Sequence, residues 1–190
     1  MAARWRWRIG TLLVLIAAVV LVARGSNRPA DPELAPPSTA GGGSADDGDG
    51  RSPIAGLQEV AFRIAPEGAE ASTWCALLAD RAEQRQRGLK DQDDLGGYDA
   101  VVFRFDEPSR VQFTMEDTRI PLSVAFFDAD GAFVSARDMD PCPPGTDRCP
   151  TYGADGSFLH ALEVEQGSLP SLGIGPGSRL SFPDEPCPAA

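Results

Sequence analysis

The apolar run at residues 9–23 constrains this chain most strongly, because its fifteen residues carry no charge and follow directly on three arginines within residues 1–8. A helix that spans a bilayer needs about 20 predominantly apolar residues, with a lower limit near 17. Trp5 and Trp7 extend the run, since aromatic rings favour the membrane interface, and the arginine side chains can reach the headgroups. The sequence therefore predicts a transmembrane signal anchor at 9–23 behind a basic cytoplasmic tail at 1–8.

A cleavable secretory signal is the alternative interpretation, because its apolar region spans about 7 to 15 residues. The best cleavage candidate, residues 20–23, is followed by Arg24, which disfavours cleavage. The basic residues before the run outnumber Arg24 and Arg28 after it, which predicts a cytoplasmic amino terminus. We therefore expect a single-pass protein of the cell membrane with an extracytoplasmic domain, and a secreted protein as the alternative.

Residues 24–56 are rich in Pro, Gly, Ser, Ala and Asp, with a triple glycine at 41–43 and an acidic run at 46–50. Such a composition offers almost nothing to bury, so chain entropy favours disorder. The segment is predicted to be a disordered linker with a reach on the order of 30 Å. The extracytoplasmic domain is then expected at 57–190.

The charge of the chain limits its partners. The whole chain has 17 basic and 28 acidic side chains and a net charge of -11, and all of the acidic excess lies beyond residue 56. An acidic surface repels phosphate backbones, which argues against nucleic-acid binding. It is also repelled by anionic lipid, so we expect the domain to stand away from the membrane.

Short β-rich apolar segments divide the domain at intervals typical of an all-β fold. The segment at 122–127 meets the one at 132–135 across residues 128–131, where Gly131 supplies the turn residue of a hairpin. The other segments are at 60–64, 73–79, 101–105, 111–113, 158–164 and 178–182. The pattern predicts a mostly β, compact antiparallel sandwich or barrel-like domain.

One short helix is predicted between the second and third of these segments. Asp80 is the expected N-cap, with Glu83 bonding back to it, and Gly88 ends the helix. The helix is polar nearly all round, so we expect it on the surface with Ala82 and Leu89 as its contacts.

Five landmarks in fixed order distinguish the domain. They are Arg87-Gly88-Leu89 after the helix; Phe103 and Phe105; Phe113, Met115, Thr118, Pro121 and Leu122; Cys149, Pro150 and Tyr152; and Leu162-Glu163-Val164 with Gly167. Together they resemble the family called domain of unknown function 192, over about residues 73–182. The resemblance implies a compact, mostly antiparallel β fold that is often exported, and it implies no established reaction.

Three positions depart from the pattern of that family. Asp117 stands where the family usually has Asn, Ser123 where it has Asp, and Lys90 where Met is common. If these polar positions line a functional pocket, a family function would be altered or lost here.

The four cysteines form an even set on the exported side, where disulfides persist. A Cys142–Cys149 bridge would close a proline-rich loop, and a Cys75–Cys187 bridge would tie the first family strand to the carboxyl-terminal tail. The alternative for the second pair is a buried free Cys75 and a frayed tail. These spacings lack the paired character of zinc or redox motifs, so no metal or cofactor is expected.

The chemistry-bearing residues favour binding over catalysis. A concave site for a small or saccharide ligand is predicted from Arg87, Phe113, Met115, Asp117, Thr118 and Tyr152. We therefore expect a non-enzymatic domain that binds an envelope ligand or protein, besides its membrane contact through the anchor. No catalytic residue is assigned.

An envelope hydrolase is the alternative function. His160 is the sole histidine of the chain, and it could act with the carboxylates of Asp117 and Glu163. This hypothesis requires the three side chains to lie within hydrogen-bond reach of one another in a pocket.

Overall fold

The computed structural model describes residues 50–143 and 145–190. Within them the chain forms nine strands and one helix: β1 Gln58–Ala65, β2 Ser72–Ala79, α1 Ala82–Arg87, β3 Ala100–Ser109, β4 Phe113–Thr114, β5 Leu122–Phe127, β6 Phe133–Met139, β7 Thr151–Tyr152, β8 Phe158–Glu165 and β9 Arg179–Ser181. The prediction of a mostly β domain with one short helix is confirmed.

Seven strands form one sheet in the order β6-β5-β8-β3-β2-β1-β9, and β4 pairs with β7 in a separate small ribbon. The sheet curls, because the start of β6 meets the last strand: Phe133 N–H donates to Ser178 O (3.1 Å) and Leu180 N–H donates to Gly131 O (2.8 Å). The result is a half-barrel rather than two stacked sheets, so the barrel-like form is the better of the two predicted architectures.

The β2–β3 pair is parallel, whereas the other pairs are antiparallel as expected. Parallel neighbours need a crossover connection, and α1 with the loop after it supplies one here. This topology lays α1 and the segment that follows it beside the middle of the sheet.

The central strands bury both of their faces in two separate clusters. What we call the pocket-face cluster includes Val101, Phe103, Val124 and Phe126, and the opposite-face cluster includes Phe62, Ile64, Val102, Ala125, Phe127 and Leu162. Successive strand residues point to opposite faces, so neighbours such as Val101 and Val102 belong to different clusters. The continuous apolar runs of the sequence reflect this double burial.

Helix α1 is capped differently from the prediction. Gln84 rather than Glu83 reaches back, and its Oε1 accepts the N–H groups of Asp80 (3.1 Å) and Arg81 (2.9 Å). The predicted contact Ala82 is exposed, whereas Gln84 is buried. Starting the helix one residue later turns Gln84 toward the sheet.

The end of the helix agrees with the prediction. Gly88 ends α1 at a positive φ of 48°, and Leu89 is buried as expected.

The predicted anchor at 9–23 and the tail at 1–8 lie outside the described residues. No helix in the described part of the chain is long and apolar enough to cross a membrane. Of the predicted linker, residues 50–56 are described, and they contact the domain: Ser52 N–H donates to Gly96 O (2.8 Å), and Ile54 is buried in the pocket-face cluster. The domain packing thus begins before residue 57, because Ile54 supplies an apolar side chain to the core.

Both predicted disulfides are present. Cys142–Cys149 closes the proline-rich loop with a Cα–Cα distance of 5.5 Å. Cys75–Cys187 joins β2 to the tail with a Cα–Cα distance of 5.0 Å, so the alternative of a free Cys75 is wrong.

Candidate functional site

A cavity of about 670 Å³ opens over the middle of the sheet, between α1 and the segment around β4. Its lining comprises Ala82, Arg85, Gln86, Arg87, Gly88, Leu89 and Lys90 from α1 and the segment after it, Phe103 and Phe105 from β3, Val111, Gln112, Phe113, Thr114, Glu116 and Thr118 from around β4, and Glu163 from β8. The crossover of the parallel pair forms one wall, and the β4 segment forms the other.

Glu163 forms the floor of this pocket. It lies opposite Val101 and Val124 in the antiparallel ladders, and residues directly opposite each other share a face. Since both valines belong to the pocket-face cluster, the Glu163 side chain points into the pocket with only 5% of the residue exposed.

The Glu163 carboxyl group has no hydrogen-bond partner among the described residues. Burial disfavours its charged form and raises the pKa of Glu163 to about 8. At neutral pH the group is therefore mainly a neutral acid, which can donate one O–H to whatever occupies the pocket.

Cationic side chains line the wall of the pocket that α1 and the segment after it form. Arg85 is held rigidly, because its Nη1 donates to Asp80 O (2.5 Å) and Arg104 O (2.9 Å) and its guanidinium lies 4.7 Å from the centre of the Phe105 ring. Arg87 is exposed and donates to Ala55 O (3.3 Å). Two positive charges thus line this part of the pocket, one held rigidly and one exposed.

Lys90 adds a third cation, which is partly neutralised. Its Nζ lies 3.0 Å from Glu116 and 3.4 Å from Asp117. The hydrogen bond that Lys90 Nζ donates to Glu116 is the main cause of a raised pKa of Lys90, so the lysine remains charged well into the alkaline range.

One wall of the pocket is aromatic. Phe113 meets Phe103 edge to face at 5.2 Å and Phe126 at 5.6 Å, and Phe105 meets Phe158 at 5.4 Å. Such interlocked rings are rigid and present an apolar surface at little entropic cost. Next to them Val111 is 48% exposed, a large apolar side chain left open to solvent.

The structure brings three of the six predicted binding residues into this pocket: Arg87, Phe113 and Thr118. Met115 is instead a core residue, only 1% exposed in the pocket-face cluster. Tyr152 pairs with Phe113 across the β4–β7 ribbon and packs on the same cluster without lining the pocket.

Asp117 also lies outside the pocket, in an exposed turn with a positive φ of 57°. Asn and Asp are the residues that tolerate this conformation best after Gly. The turn therefore explains why either residue suits this position. Asp117 lines a neighbouring cavity beside the Cys142–Cys149 loop.

Ser123, the second departure from the family pattern, is a buried structural residue. Its Oγ donates to Asp138 (2.5 Å) and accepts the N–H of Gly167 (3.0 Å). Ser123 therefore ties the turn that follows β8 to strand β5, and it does not line the pocket. Of the three departures, only Lys90 does.

The side chains required by the hydrolase hypothesis do not meet. His160 lies opposite Phe127, which belongs to the opposite-face cluster, and its ring contacts Phe182 at 5.0 Å. His160 and Glu163 are three positions apart along the strand, an odd number, which places them on opposite faces of the sheet. Burial is the main cause of a lowered pKa of His160, which fits a structural histidine.

Several pocket residues escaped the sequence-based binding set, above all Glu163, Arg85 and Phe105. One signal for Glu163 exists in the sequence: it is the single acid inside the apolar run 161–164, in a strand whose neighbours are buried. A charged residue at an inward-facing strand position is rarely buried without a role. Arg85 carries no such signal, because α1 is polar on all sides.

Comparisons with known proteins agree with this fold. The family model DUF192, described as "Uncharacterized ACR", matches residues 63–182, and no curated protein matches the chain. A crystal structure from Novosphingobium aromaticivorans DSM 12444, of unknown function, is similar with a TM-score of 0.59 at 25% identity, over 69% of this chain and 90% of that one.

A second crystal structure has the same fold. It is a Sinorhizobium meliloti 1021 protein provisionally named a transcription regulator, with a TM-score of 0.57 at 21% identity, over 69% of this chain and 98% of that one. The family match covers well over half of the chain and extends the resemblance seen in its motifs. This chain belongs to the DUF192 family.

Proposed function

We propose that this chain is a membrane-tethered, extracytoplasmic domain of the cell envelope that binds a small ligand non-enzymatically in the pocket above Glu163. One observation carries the proposal: a cavity of about 670 Å³ with a buried, unpartnered acid at its floor and a rigid aromatic wall. Pockets for small molecules typically measure about 300–1,000 Å³ and combine an apolar lining with a few convergent polar groups.

The lining supports binding rather than catalysis. Thr114 and Thr118 offer hydroxyl groups, but within the described residues no His or Cys lines the cavity. An activated nucleophile needs an adjacent base or a lowered pKa. The hydrolase alternative therefore lacks the constellation that it requires.

A ligand screen tests the proposed binding. The full chain is screened by thermal shift against organic acids, amines and saccharides, beside the variants Gln112→Trp and Arg110→Trp. Gln112 is exposed at the pocket, so a Trp there should block it, whereas Arg110 is exposed outside the lining. We expect some compounds to raise the Tm of the wild type and of Arg110→Trp but not of Gln112→Trp. Shifts that persist in Gln112→Trp, or none at all, would contradict the proposal.

The envelope location draws on the apolar run at 9–23 and on the two disulfides, which persist in oxidising compartments. Cell fractionation with amino-terminal sequencing tests it. We expect the intact chain in the membrane fraction, where it should resist an alkaline wash. A variant in which a cleavable signal replaces residues 1–23 should be released from the membrane. A shortened amino terminus in the medium would favour the secreted alternative, and a reduced protein in the cytosol would refute both.

A further inference from the structure

We propose that the pocket selects small organic anions with a flat apolar body, and that the carboxylic acid of Glu163 donates its hydrogen to an oxygen of that anion. The inference rests on the proposed binding function and names its ligand class. Three features of the pocket support it: its lining is mainly cationic, the acid at its floor lies among apolar neighbours, and one of its walls is aromatic.

The charge of the pocket is opposite to that of the protein. Its lining holds three cations, Arg85, Arg87 and Lys90, and outside the floor a single acid, Glu116. The chain as a whole has a net charge of -11. A concave site of one sign focuses the field and raises the local concentration of the opposite ion, so this pocket attracts anions that the remaining surface repels.

Arg87 is the cation best placed to contact the ligand. Arg85 is held by two backbone carbonyls and Lys90 by two carboxylates. Arg87 makes one long hydrogen bond, to Ala55 O at 3.3 Å, and its other N–H groups remain available. A guanidinium matches the geometry of a carboxylate with two parallel hydrogen bonds.

The floor favours an acceptor over an ammonium group. The sheet positions facing Glu163 are apolar, namely Val101 on β3 and Val124 on β5. The charged groups that line the same pocket are Arg85, Arg87 and Lys90 from α1 and the segment after it, and Glu116 from the β4 segment. An ammonium ligand paired with an ionised Glu163 would have to approach those three cations, whereas a neutral Glu163 donates to an anionic oxygen without repulsion.

The wall favours a flat body. Phe103, Phe105 and Phe113 line one side of the pocket, and the exposed Val111 lies at its edge. A planar apolar ring would cover these side chains and remove Val111 from water. The aromatic geometry is already locked by ring contacts with the core, so little order has to be gained on binding.

Three probes of the same shape and different charge test the inference: 2-naphthoate, 2-naphthamide and 2-naphthylmethylammonium. Calorimetric titration of the full chain in detergent gives their affinities. The Gln112→Trp variant, whose pocket is blocked, measures how much of each probe enters the micelles instead. Near pH 6.5 we expect naphthoate to bind at least about tenfold tighter than the other two, and Arg87→Gln to remove most of that preference. Equal affinities, or tighter binding of the ammonium probe, would overturn the inference.

Two variants of the floor test the role of Glu163. Glu163→Gln keeps a donor of the same shape, so it should retain naphthoate binding within about threefold, whereas Glu163→Leu should weaken it by about tenfold. Equal loss in both variants would mean that a donor at this position does not hold the naphthoate, and tighter binding in Glu163→Gln would mean that Glu163 is ionised and repels the probe; either result would refute the role of Glu163.

The pH dependence of naphthoate binding also tests whether Glu163 acts as a neutral donor. Above the pKa of Glu163, the wild-type affinity for naphthoate should fall by about tenfold per pH unit, while that of Glu163→Gln stays flat. Lys90 remains charged over this range, since its pKa is raised. A parallel fall in both proteins would refute the role of Glu163. If no naphthyl probe binds while the wider screen finds a ligand, the anion inference alone is wrong.

Discussion

At the scale of single residues, Glu163 is the position where folding and binding conflict. A carboxyl group without a partner is costly to bury, and a Leu would suit the apolar neighbours Val101 and Val124 better. Its presence at the bottom of a cavity is the reason why we propose that it serves a ligand rather than the core. Ser123 is the opposite case, because its two hydrogen bonds explain it fully within the fold.

We predict that Glu163→Gln changes the pH dependence of stability. Burial raises the pKa of Glu163 from 4.5 to about 8, so between these values the native state holds a proton that the unfolded state has lost. The wild type should therefore lose about 1.4 kcal/mol of unfolding free energy per pH unit from this group as the pH rises through that window. Glu163→Gln should remove this slope.

Urea denaturation at a series of pH values measures this slope. Glu165→Gln is the matched control, because Glu165 is an exposed acid on the same strand. Its profile should follow that of the wild type. Identical slopes in the wild type and Glu163→Gln would mean that the buried acid does not hold its proton.

At the scale of elements, α1 and the hairpin after β5 decide the shape of the domain. The crossover through α1 places a cationic segment over the sheet face that carries Glu163. The hairpin turn holds Gly131 against β9, where its carbonyl accepts the Leu180 N–H (2.8 Å) and curls the sheet. The α1 crossover creates the pocket, and the contact between the hairpin turn and β9 fixes the curvature of the sheet below it.

We predict that Gly131→Ala is far more damaging than Gly68→Ala. Both glycines have nearly the same positive φ, +74° and +73°, so the backbone strain of a side chain is matched. A Cβ at Gly131 would lie 2.1 Å from Leu180 O, whereas at Gly68 nothing lies within 4 Å. We expect Gly68→Ala to cost about 1 kcal/mol and Gly131→Ala to cost at least roughly 2 kcal/mol more.

Thermal and urea unfolding of the two variants give this comparison. Near-equal losses would show that the contact between the hairpin and β9 does not constrain the turn.

At the scale of the whole molecule, two covalent links reinforce an acidic domain. Cys75–Cys187 encloses a separation of 112 residues and therefore most of the domain, whereas Cys142–Cys149 encloses a separation of 7. A bridge stabilises chiefly by restricting the unfolded chain, and more so for a longer loop. The two links should therefore differ in their effect on stability, although both belong to the same domain.

We predict that Cys75→Ala with Cys187→Ala lowers the free energy of unfolding by roughly 4 to 5 kcal/mol, and Cys142→Ala with Cys149→Ala by roughly 2 to 3 kcal/mol. Urea unfolding measures both, and mass spectrometry after alkylation should find no free thiol in the exported wild type. A larger loss from the short loop, or alkylated cysteines in the native protein, would contradict the prediction.

Local chemistry made much of this fold predictable. The β-rich segments, the turn at Gly131, the end of the helix at Gly88 and the short Cys142–Cys149 loop depend on neighbours within a few residues, so the sequence predicts them directly. The family resemblance depends on the order of short motifs, and the family match confirms it. The parallel β2–β3 pair was not predicted, because pairing direction depends on how distant segments pack.

The sequence alone therefore determined most of the strands, the one short helix and the family of this protein, and it favoured both disulfides while leaving an alternative for Cys75 and Cys187. Only the tertiary structure decided which side chains share a site: it separated Met115, Asp117 and Tyr152 from the pocket, placed His160 on the opposite face, and joined Arg85 to Glu163 across some 78 positions of the chain. Strand register and the path of the crossover make that decision, since a shift of one residue turns every side chain to the other face of the sheet.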